Sequence, residues 1–129
     1  MPNNSRTRVV LIVDDDAAVR GALRFALEAE GFRVQDYDGA MALLIDRHMP
    51  PFGCLVIDYR MPVMDGLELV AVLRDRGIAA PAIIITGRTN KELEAQAAKL
   101  GVRQVLEKPL SDGALVAAIR SALLAPTAA

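Results

Sequence analysis

The chain has 129 residues and a formal net charge of −1, and 53% of its residues are apolar. A chain of this length favours a single domain with a hydrophobic core, and this apolar content excludes a disordered protein. The near-neutral charge argues against a protein that binds nucleic acid or a membrane surface. In addition, no apolar run approaches the roughly 20 residues of a membrane span.

Strand-like and helix-like segments alternate along the whole chain, which is typical of βαβ units around a parallel sheet. The predicted elements are a strand at 9–13, a helix at 17–30, a strand at 32–36, a helix at 40–47, a strand at 54–57, a helix after the loop 58–66 that runs to about Arg76, a strand at 82–86, a helix from the cap Asn90 to near Gly101, a strand at 104–107 and a helix from the cap Ser111-Asp112 to near Leu124. Right-handed crossovers would place helices on both faces of the sheet.

Three of the predicted strands differ in pattern from a fourth. The runs at 9–13, 54–57 and 82–86 are continuously apolar and rich in Val and Ile, which predicts central strands buried on both faces. The strand at 32–36 alternates apolar and polar residues, so we expect it at an edge of the sheet. Cys54, the one cysteine, begins a central strand and is expected to be buried, and a disulfide within the chain is impossible.

Polar groups follow four of the predicted strands. They are Asp14-Asp15-Asp16 after the first strand, Asp58 after the third, Thr86 at the end of the fourth and Lys108 after the fifth. In an open α/β sheet the functional crevice lies outside the carboxyl ends of the strands, so these groups should meet there. The expected set contains several carboxylates, a hydroxyl and an ammonium group.

This set suits phosphoryl chemistry that depends on a metal ion. Crowded carboxylates repel one another unless a cation relieves them, and a hard oxygen site with few protein ligands suits Mg²⁺. A carboxylate can itself act as a nucleophile and form an aspartyl phosphate, while Lys108 and Thr86 can contact phosphate oxygens. Asp16 has a structural alternative, because an aspartate directly before a helix is typical of an N-cap.

The chain resembles the receiver domains of two-component response regulators, over about residues 8–124. The resemblance depends on five short segments in this order: Val13-Asp14-Asp15-Asp16, Ile57-Asp58-Tyr59-Arg60-Met61-Pro62, Asp65-Gly66, Thr86-Gly87 and Glu107-Lys108-Pro109. The segments around Asp58, Thr86 and Lys108 are most similar to the nitrogen-fixation regulator branch. Members of that branch carry a DNA-binding domain after the receiver.

The resemblance implies a flavodoxin-like, doubly wound (βα)5 fold with strand order 2-1-3-4-5. It implies that Asp58 accepts a phosphoryl group from a histidine of a sensor kinase or a histidine phosphotransfer protein. It also implies a signalling role rather than an enzymatic one, with at most slow autodephosphorylation. The partner would be that kinase or phosphotransfer protein, with no direct contact to nucleic acid or membrane, and the domain would be a monomer or a phosphorylation-dependent homodimer.

The resemblance further implies a role for each residue of the site. Asp15, Asp58 and the backbone carbonyl of Arg60 would bind Mg²⁺ or Mn²⁺ directly, with Asp14 acting through a water molecule. Thr86 and Lys108 would contact the phosphoryl oxygens. A cis peptide bond is expected before Pro109.

Two features are less typical of the family or less certain in role. Receivers usually have Tyr or Phe three residues before the lysine, where this chain has Val105, so the usual movement of an aromatic ring is in doubt. Arg60 and Arg88 each follow a site residue by two positions. Either they are solvated loop residues, or they pair with the phosphoryl group or shield it from water.

Other functions are considered beside the phosphorylation-controlled switch. A stand-alone receiver would pass on phosphate without an output domain of its own. A phosphatase of the haloacid dehalogenase type would need a second aspartate two residues after the nucleophile, where this chain has Arg60. A degenerate interaction module would have lost an acidic residue or the lysine, and none is lost. We expect a single cytoplasmic receiver domain over 1–129, with 125–129 as a tail or the start of a linker.

Overall fold

The computed structural model describes residues 9–111 and 113–124. Strands and helices alternate through these residues, as predicted. They are β1 (Val9–Val13), α1 (Ala17–Ala29), β2 (Arg33–Tyr37), α2 (Ala40–Leu44), β3 (Cys54–Asp58), α3 (Gly66–Asp75), β4 (Ala82–Thr86), α4 (Lys91–Lys99), β5 (Val102–Glu107) and α5 (Ala114–Leu124). The predictions for residues 1–8, the helix cap at Asp112 and the tail 125–129 lie outside the described residues.

The five strands form one parallel sheet in the order β2-β1-β3-β4-β5, which confirms the predicted flavodoxin-like topology. The strand pairing aligns the carboxyl ends, because Val13 is opposite Ile57, Asp58 is opposite Ile85, and Thr86 is opposite Glu107. Each strand therefore delivers the residue at its end to the same edge of the sheet.

The core consists of two layers, one on each face of the sheet. Alternate residues of β1, β3 and β4 point to opposite faces, so that Leu55 packs with α2, α3 and α4, whereas Val56 packs with α1 and α5. Leu55 is fully buried, and its replacement by Ala would cost about 2–5 kcal/mol. Cys54 is also fully buried, as predicted, and burial raises the pKa of its thiol to about 12.

Several boundaries differ from the prediction, among them those of β2, α2 and β5. β2 lies one residue later in the chain than expected, at the predicted edge of the sheet. α2 ends at Leu44 rather than near Arg47, because the Asp46 carboxylate accepts bonds from the Tyr37 hydroxyl (2.7 Å) and the His48 amide (2.8 Å) and thereby forms a turn. β5 begins at Val102, two residues early, because an irregularity beside Ala82 extends its pairing with β4.

The helix starts show why local sequence determines these boundaries. Asp16 caps α1 by accepting bonds from the amides of Ala18 and Val19, which confirms the predicted cap. Asn90 caps α4 through the Leu93 amide, also as predicted. Such caps satisfy amides that the first helical turn leaves unpaired. No helix in the described part of the chain is both long and apolar enough to cross a membrane.

Candidate functional site

Three carboxylates meet where β1 and β3 end. Asp14, Asp15 and Asp58 each place one oxygen so that the three oxygens lie within 4.8 Å of one another. Asp14 and Asp58 are only 3% and 7% exposed, whereas Asp15 is exposed to solvent. The predicted meeting of carboxylates at adjacent strand ends is therefore confirmed.

The backbone around Asp14 is firmly held. The carboxylate of Asp14 accepts a bond from the Asp16 amide (2.9 Å), and its own amide donates to the Tyr37 carbonyl (3.2 Å). The Arg20 guanidinium donates to the Asp14 carbonyl (2.8 Å) and pairs with Asp36 (3.2 Å). The arrangement fixes the first carboxylate of the site, and the sequence pattern alone gave no indication of the role of Arg20.

Burial raises the pKa of Asp14 above its ordinary value, and the negative charges of Asp58 and Asp15 raise it further. The Asp16 amide and the Lys108 ammonium group act in the opposite direction without offsetting the rise. The pKa of Asp14 is therefore raised first by burial of the carboxylate and second by its acidic neighbours.

Lys108 is the counter-charge of this cluster, and its Nζ lies 3.0 Å from Asp58 Oδ1. Partial burial of the ammonium group lowers its pKa, but the bond to Asp58 and the charges of Asp58, Asp14 and Asp16 outweigh that effect. The pKa of Lys108 is therefore raised, and the side chain stays protonated at neutral pH.

The donor set fits a divalent cation. With all three carboxylates ionised, the single ammonium group leaves a local charge of −2. Hard carboxylate oxygens, one of them solvent-facing, suit a small cation that keeps part of its water shell. Such a cation would relieve the repulsion among the carboxylates, which adds to the effect of burial on the pKa of Asp14.

Thr86 ends β4 and is 1% exposed. Its hydroxyl donates to the Arg88 carbonyl (3.1 Å) and accepts from the Arg88 amide (3.3 Å). The hydroxyl is thus engaged within its own loop rather than with the carboxylates. The sequence predicted the position of Thr86 at the crevice, but it gave no sign of this engagement.

The end of the loop between Asp58 and α3 packs closely against the backbone of Asp58. A Cβ atom at Gly66 would meet the Asp58 carbonyl oxygen at 2.8 Å, so only glycine fits there. Asp65 caps α3 in a reciprocal pair with Glu68. In the same loop Val63 has a φ of 73°, and the Met64 amide bonds to the Pro62 carbonyl (2.8 Å), which is the strained form of a γ-turn.

The remaining residues that the sequence analysis named are two arginines, Val105 and Pro109. Arg60 and Arg88 are both solvent-exposed, and Arg60 lines a groove with Tyr59, Met61, Pro62 and Asp65. Val105 pairs with Ile84 in the sheet and is partly buried against the core, so an aliphatic side chain fills this position of β5. The peptide bond before Pro109 is cis, as predicted.

The sequence profile of the response regulator receiver domain matches residues 10–120. The chain belongs to the response regulator receiver family. Receiver domains of this family act in two-component signalling together with sensor kinases and are generally not enzymes. The family expectation drawn from the five sequence segments is therefore confirmed.

Individual relatives agree with this membership. The receiver domain is 44% identical over 115 residues to the transcriptional regulatory protein FixJ of Azorhizobium caulinodans, covering 88% of this chain and 54% of that protein. It is 38% identical over 122 residues to the C4-dicarboxylate transport transcriptional regulatory protein DctD of Pseudomonas aeruginosa, covering 95% of this chain and 26% of that protein. The receiver domain thus spans about half or less of the length of these curated relatives.

A solved structure extends the similarity to three dimensions. The crystal structure of FixJ-N is 37% identical to this receiver domain, with a TM-score of 0.81, and the match covers 94% of this chain and 97% of that one. The observed sheet order and the two helical layers are therefore those of a known receiver.

Proposed function

We propose that Asp58 of this receiver domain accepts a phosphoryl group from the phosphohistidine of a sensor kinase or a histidine phosphotransfer protein. The proposal depends above all on one observation: Asp58 Oδ1 lies 3.0 Å from the Lys108 ammonium group, beside two further carboxylates. Asp58 ends the central strand and is the carboxylate that has both a cationic partner and acidic neighbours.

In the proposed reaction an Asp58 carboxylate oxygen attacks phosphorus, a new O–P bond forms, and the N–P bond of the phosphohistidine breaks. The electron pair of that bond returns to the imidazole nitrogen, which takes up a proton from solvent. Lys108 is already beside the reacting carboxylate and can stabilise the negative charge of the transferred oxygens.

We assign the divalent cation, Mg²⁺ or Mn²⁺, to Asp15, Asp58 and the backbone carbonyl of Arg60, with Asp14 acting through a water molecule. When bound, the cation screens the repulsion between the carboxylates and the incoming phosphoryl group. Two observations support Asp15 as a direct ligand and Asp14 as an indirect one. Asp14 is buried and its pKa is raised, whereas Asp15 faces solvent, from which the ion must enter.

Thr86 is the proposed sensor of phosphorylation. To donate its hydroxyl to a phosphoryl oxygen it must give up its bond to the Arg88 carbonyl, so the loop after β4 has to rearrange. The change in structure at this loop would carry the signal to an output.

The context of the domain follows from its relatives. We propose a cytoplasmic receiver over residues 1–129, with its core at about 8–124, that controls an output domain elsewhere in a longer protein, and that hydrolyses its aspartyl phosphate slowly at most. Because the matched region makes up about half or less of each relative, and both are transcriptional regulators by name, a DNA-binding output is the favoured form. A stand-alone receiver that passes on phosphate is the second candidate.

The phosphoacceptor assignment can be tested by mass spectrometry of the intact protein. Incubation with phosphoramidate and Mg²⁺ should add one phosphoryl group to the wild-type protein and none to Asp58→Asn. Asp16→Asn is the matched control, because Asp16 belongs to the same acidic run but caps α1, and it should still be labelled. Equal labelling of Asp58→Asn and the wild-type protein would exclude Asp58 as the acceptor.

A further inference from the structure

One side chain connects the end of β5 to the loop that follows β4. The Glu107 carboxylate accepts a hydrogen bond from the Thr89 amide at 2.9 Å, although the two residues are 18 positions apart in the chain. We call this contact the Glu107 clamp. Glu107 directly precedes Lys108, so the clamp begins beside the ammonium group that holds Asp58.

The clamp acts on the segment that keeps the Thr86 hydroxyl occupied. Thr86 donates to the Arg88 carbonyl, and Arg88 is the residue before Thr89. The other end of the loop is held by the residue directly after β5, because the Lys108 amide donates to the Thr86 carbonyl at 2.8 Å. Glu107, the last residue of β5, and Lys108, which follows it, thus hold the two ends of the segment 86–89.

We propose that Glu107 is a positioning residue that holds the Arg88 carbonyl against the Thr86 hydroxyl, and that it thereby sets the cost of moving Thr86 to a phosphoryl group. The inference deepens the proposed function and rests on it. Thr89 directly follows Arg88, so we infer that moving the Arg88 carbonyl away from the Thr86 hydroxyl also breaks the Glu107 clamp. The clamp would then favour the unphosphorylated arrangement.

A second hydrogen bond of Thr89, made by its side chain, provides a matched control. The Thr89 hydroxyl donates to the Glu94 carboxylate at 2.9 Å, but Glu94 belongs to α4, which directly follows the loop. That bond stays within one local segment and does not connect the loop to β5. Thr89→Val removes the hydrogen bond from the hydroxyl to Glu94 and keeps the backbone amide that donates to Glu107.

The first experiment measures the rate of phosphorylation of the full chain by phosphoramidate at saturating Mg²⁺. Glu107→Ala should increase the rate constant about 2- to 10-fold, the range that corresponds to one net hydrogen bond. Glu107→Gln retains an oxygen acceptor and should restore the wild-type rate, and Thr89→Val should change the rate less than twofold. An unchanged or slower rate for Glu107→Ala would overturn the proposal.

The second experiment does not depend on phosphorylation. In metal-free protein, amide hydrogen exchange at Thr89 reports the clamp itself, whereas exchange at Arg88 reports the pairing with the Thr86 hydroxyl. Glu107→Ala should accelerate exchange at both amides. Faster exchange at Thr89 alone would mean that the clamp is a local structural bond, and the inference would fail.

The two experiments also separate this inference from the proposed function. If the wild-type protein is never labelled at Asp58, the phosphoacceptor assignment fails, and exchange at Arg88 still decides whether Glu107 positions the loop. If labelling occurs at Asp58 with the same rate in all four proteins, the assignment stands and the positioning role of Glu107 is excluded.

Discussion

The two halves of the site differ in how their groups are satisfied. At the ends of β1 and β3, three carboxylates share one ammonium group, and burial and repulsion raise the pKa of Asp14. At the ends of β4 and β5, the Thr86 hydroxyl and the Thr89 amide both have hydrogen-bond partners nearby. We call the part with the three carboxylates the acidic half and the part with Thr86 the hydroxyl half. Negative charge is in excess in the acidic half, whereas the polar groups of the hydroxyl half are hydrogen-bonded.

The backbone repeats this difference. Val63, in the loop after Asp58, has a positive φ that a branched side chain rarely adopts and is 90% exposed. Among the described residues it is the one with a positive φ that is not glycine, and the loop after Thr86 contains none. On the proposed function, a bound cation would relieve the repulsion among the carboxylates in one half, and this gain would offset the hydrogen bonds broken in the other half.

The largest expected effect concerns the acidic half. Asp15→Asn should weaken Mg²⁺ binding at least about 10-fold, because it removes one of the proposed direct ligands. Isothermal titration calorimetry with the full chain measures the affinity. Asp16→Asn is the control and should change the affinity less than about twofold, since the Asp16 carboxylate is engaged with the start of α1. A larger loss for Asp16→Asn would mean that the wrong aspartate has been assigned.

The next effect concerns the hydroxyl half. Thr86→Val keeps the shape of the side chain but removes the donor, so affinity for the phosphoryl mimic beryllofluoride should fall about 3- to 10-fold.

In the wild-type protein the mimic should shift amide resonances strongly at 86–95 and weakly at 102–105, because Val105 offers no ring to relocate. Equally large shifts throughout β5 and α5 would show that a valine is sufficient to transmit the change.

A smaller effect tests the strain at Asp14. Without metal, Asp14→Asn should stabilise the fold at neutral pH by about 1 kcal/mol, or roughly 3–5 °C in Tm, because it removes a buried negative charge. The amide oxygen of asparagine can still accept the bond from Asp16. Thermal unfolding in EDTA measures the difference between the two proteins.

The sign of the pH dependence follows from the raised pKa of Asp14 in the folded state. The folded protein holds this proton more tightly than the unfolded chain, so the contribution of Asp14 to stability falls as pH rises from the ordinary value of 3.8 through the folded value. The gain from Asp14→Asn should therefore be near zero below pH 3.8 and should grow with increasing pH. A gain that is independent of pH would indicate a packing effect instead.

The smallest effect tests the backbone strain. Val63→Gly should raise the free energy of unfolding by about 0.5–1 kcal/mol, because relief of the positive φ exceeds the entropic cost of glycine. Urea denaturation measures it, and Val63→Ala is the control, since alanine keeps a Cβ at the same φ. If alanine stabilises as much as glycine, the strain comes from the branched side chain and not from the backbone angle.

The sequence predicted those parts of the fold that depend on local pattern. The continuous apolar runs predicted both ends of β1 and of β4 correctly. The caps at Asp16 and Asn90 followed from the hydrogen bonds that such residues form with nearby amides. α2 was predicted too long because its end depends on a bond between Asp46 and Tyr37, which lies on another element. Boundaries that tertiary contacts decide were therefore missed.

The site divides in the same way. The meeting of Asp14, Asp15 and Asp58 with Lys108 followed from the positions of the strand ends, together with the sheet order that the family resemblance implied. The bond from Thr86 to Arg88, the Glu107 clamp and the contact of Arg20 with the Asp14 carbonyl depend on side-chain rotamers and loop paths. A sequence pattern specifies which groups approach one another, but it does not specify which lone pair or proton each of them uses.

The burial of Cys54 also bears on how this protein can be observed. Burial raises the pKa of its thiol to about 12, so the reactive thiolate is scarce at pH 7, and the side chain is fully buried. Since the chain has no other cysteine, a thiol-specific dye would leave the wild-type protein unlabelled. A cysteine introduced at exposed Arg88 could then carry a single fluorophore and report movement of the loop after β4 in real time.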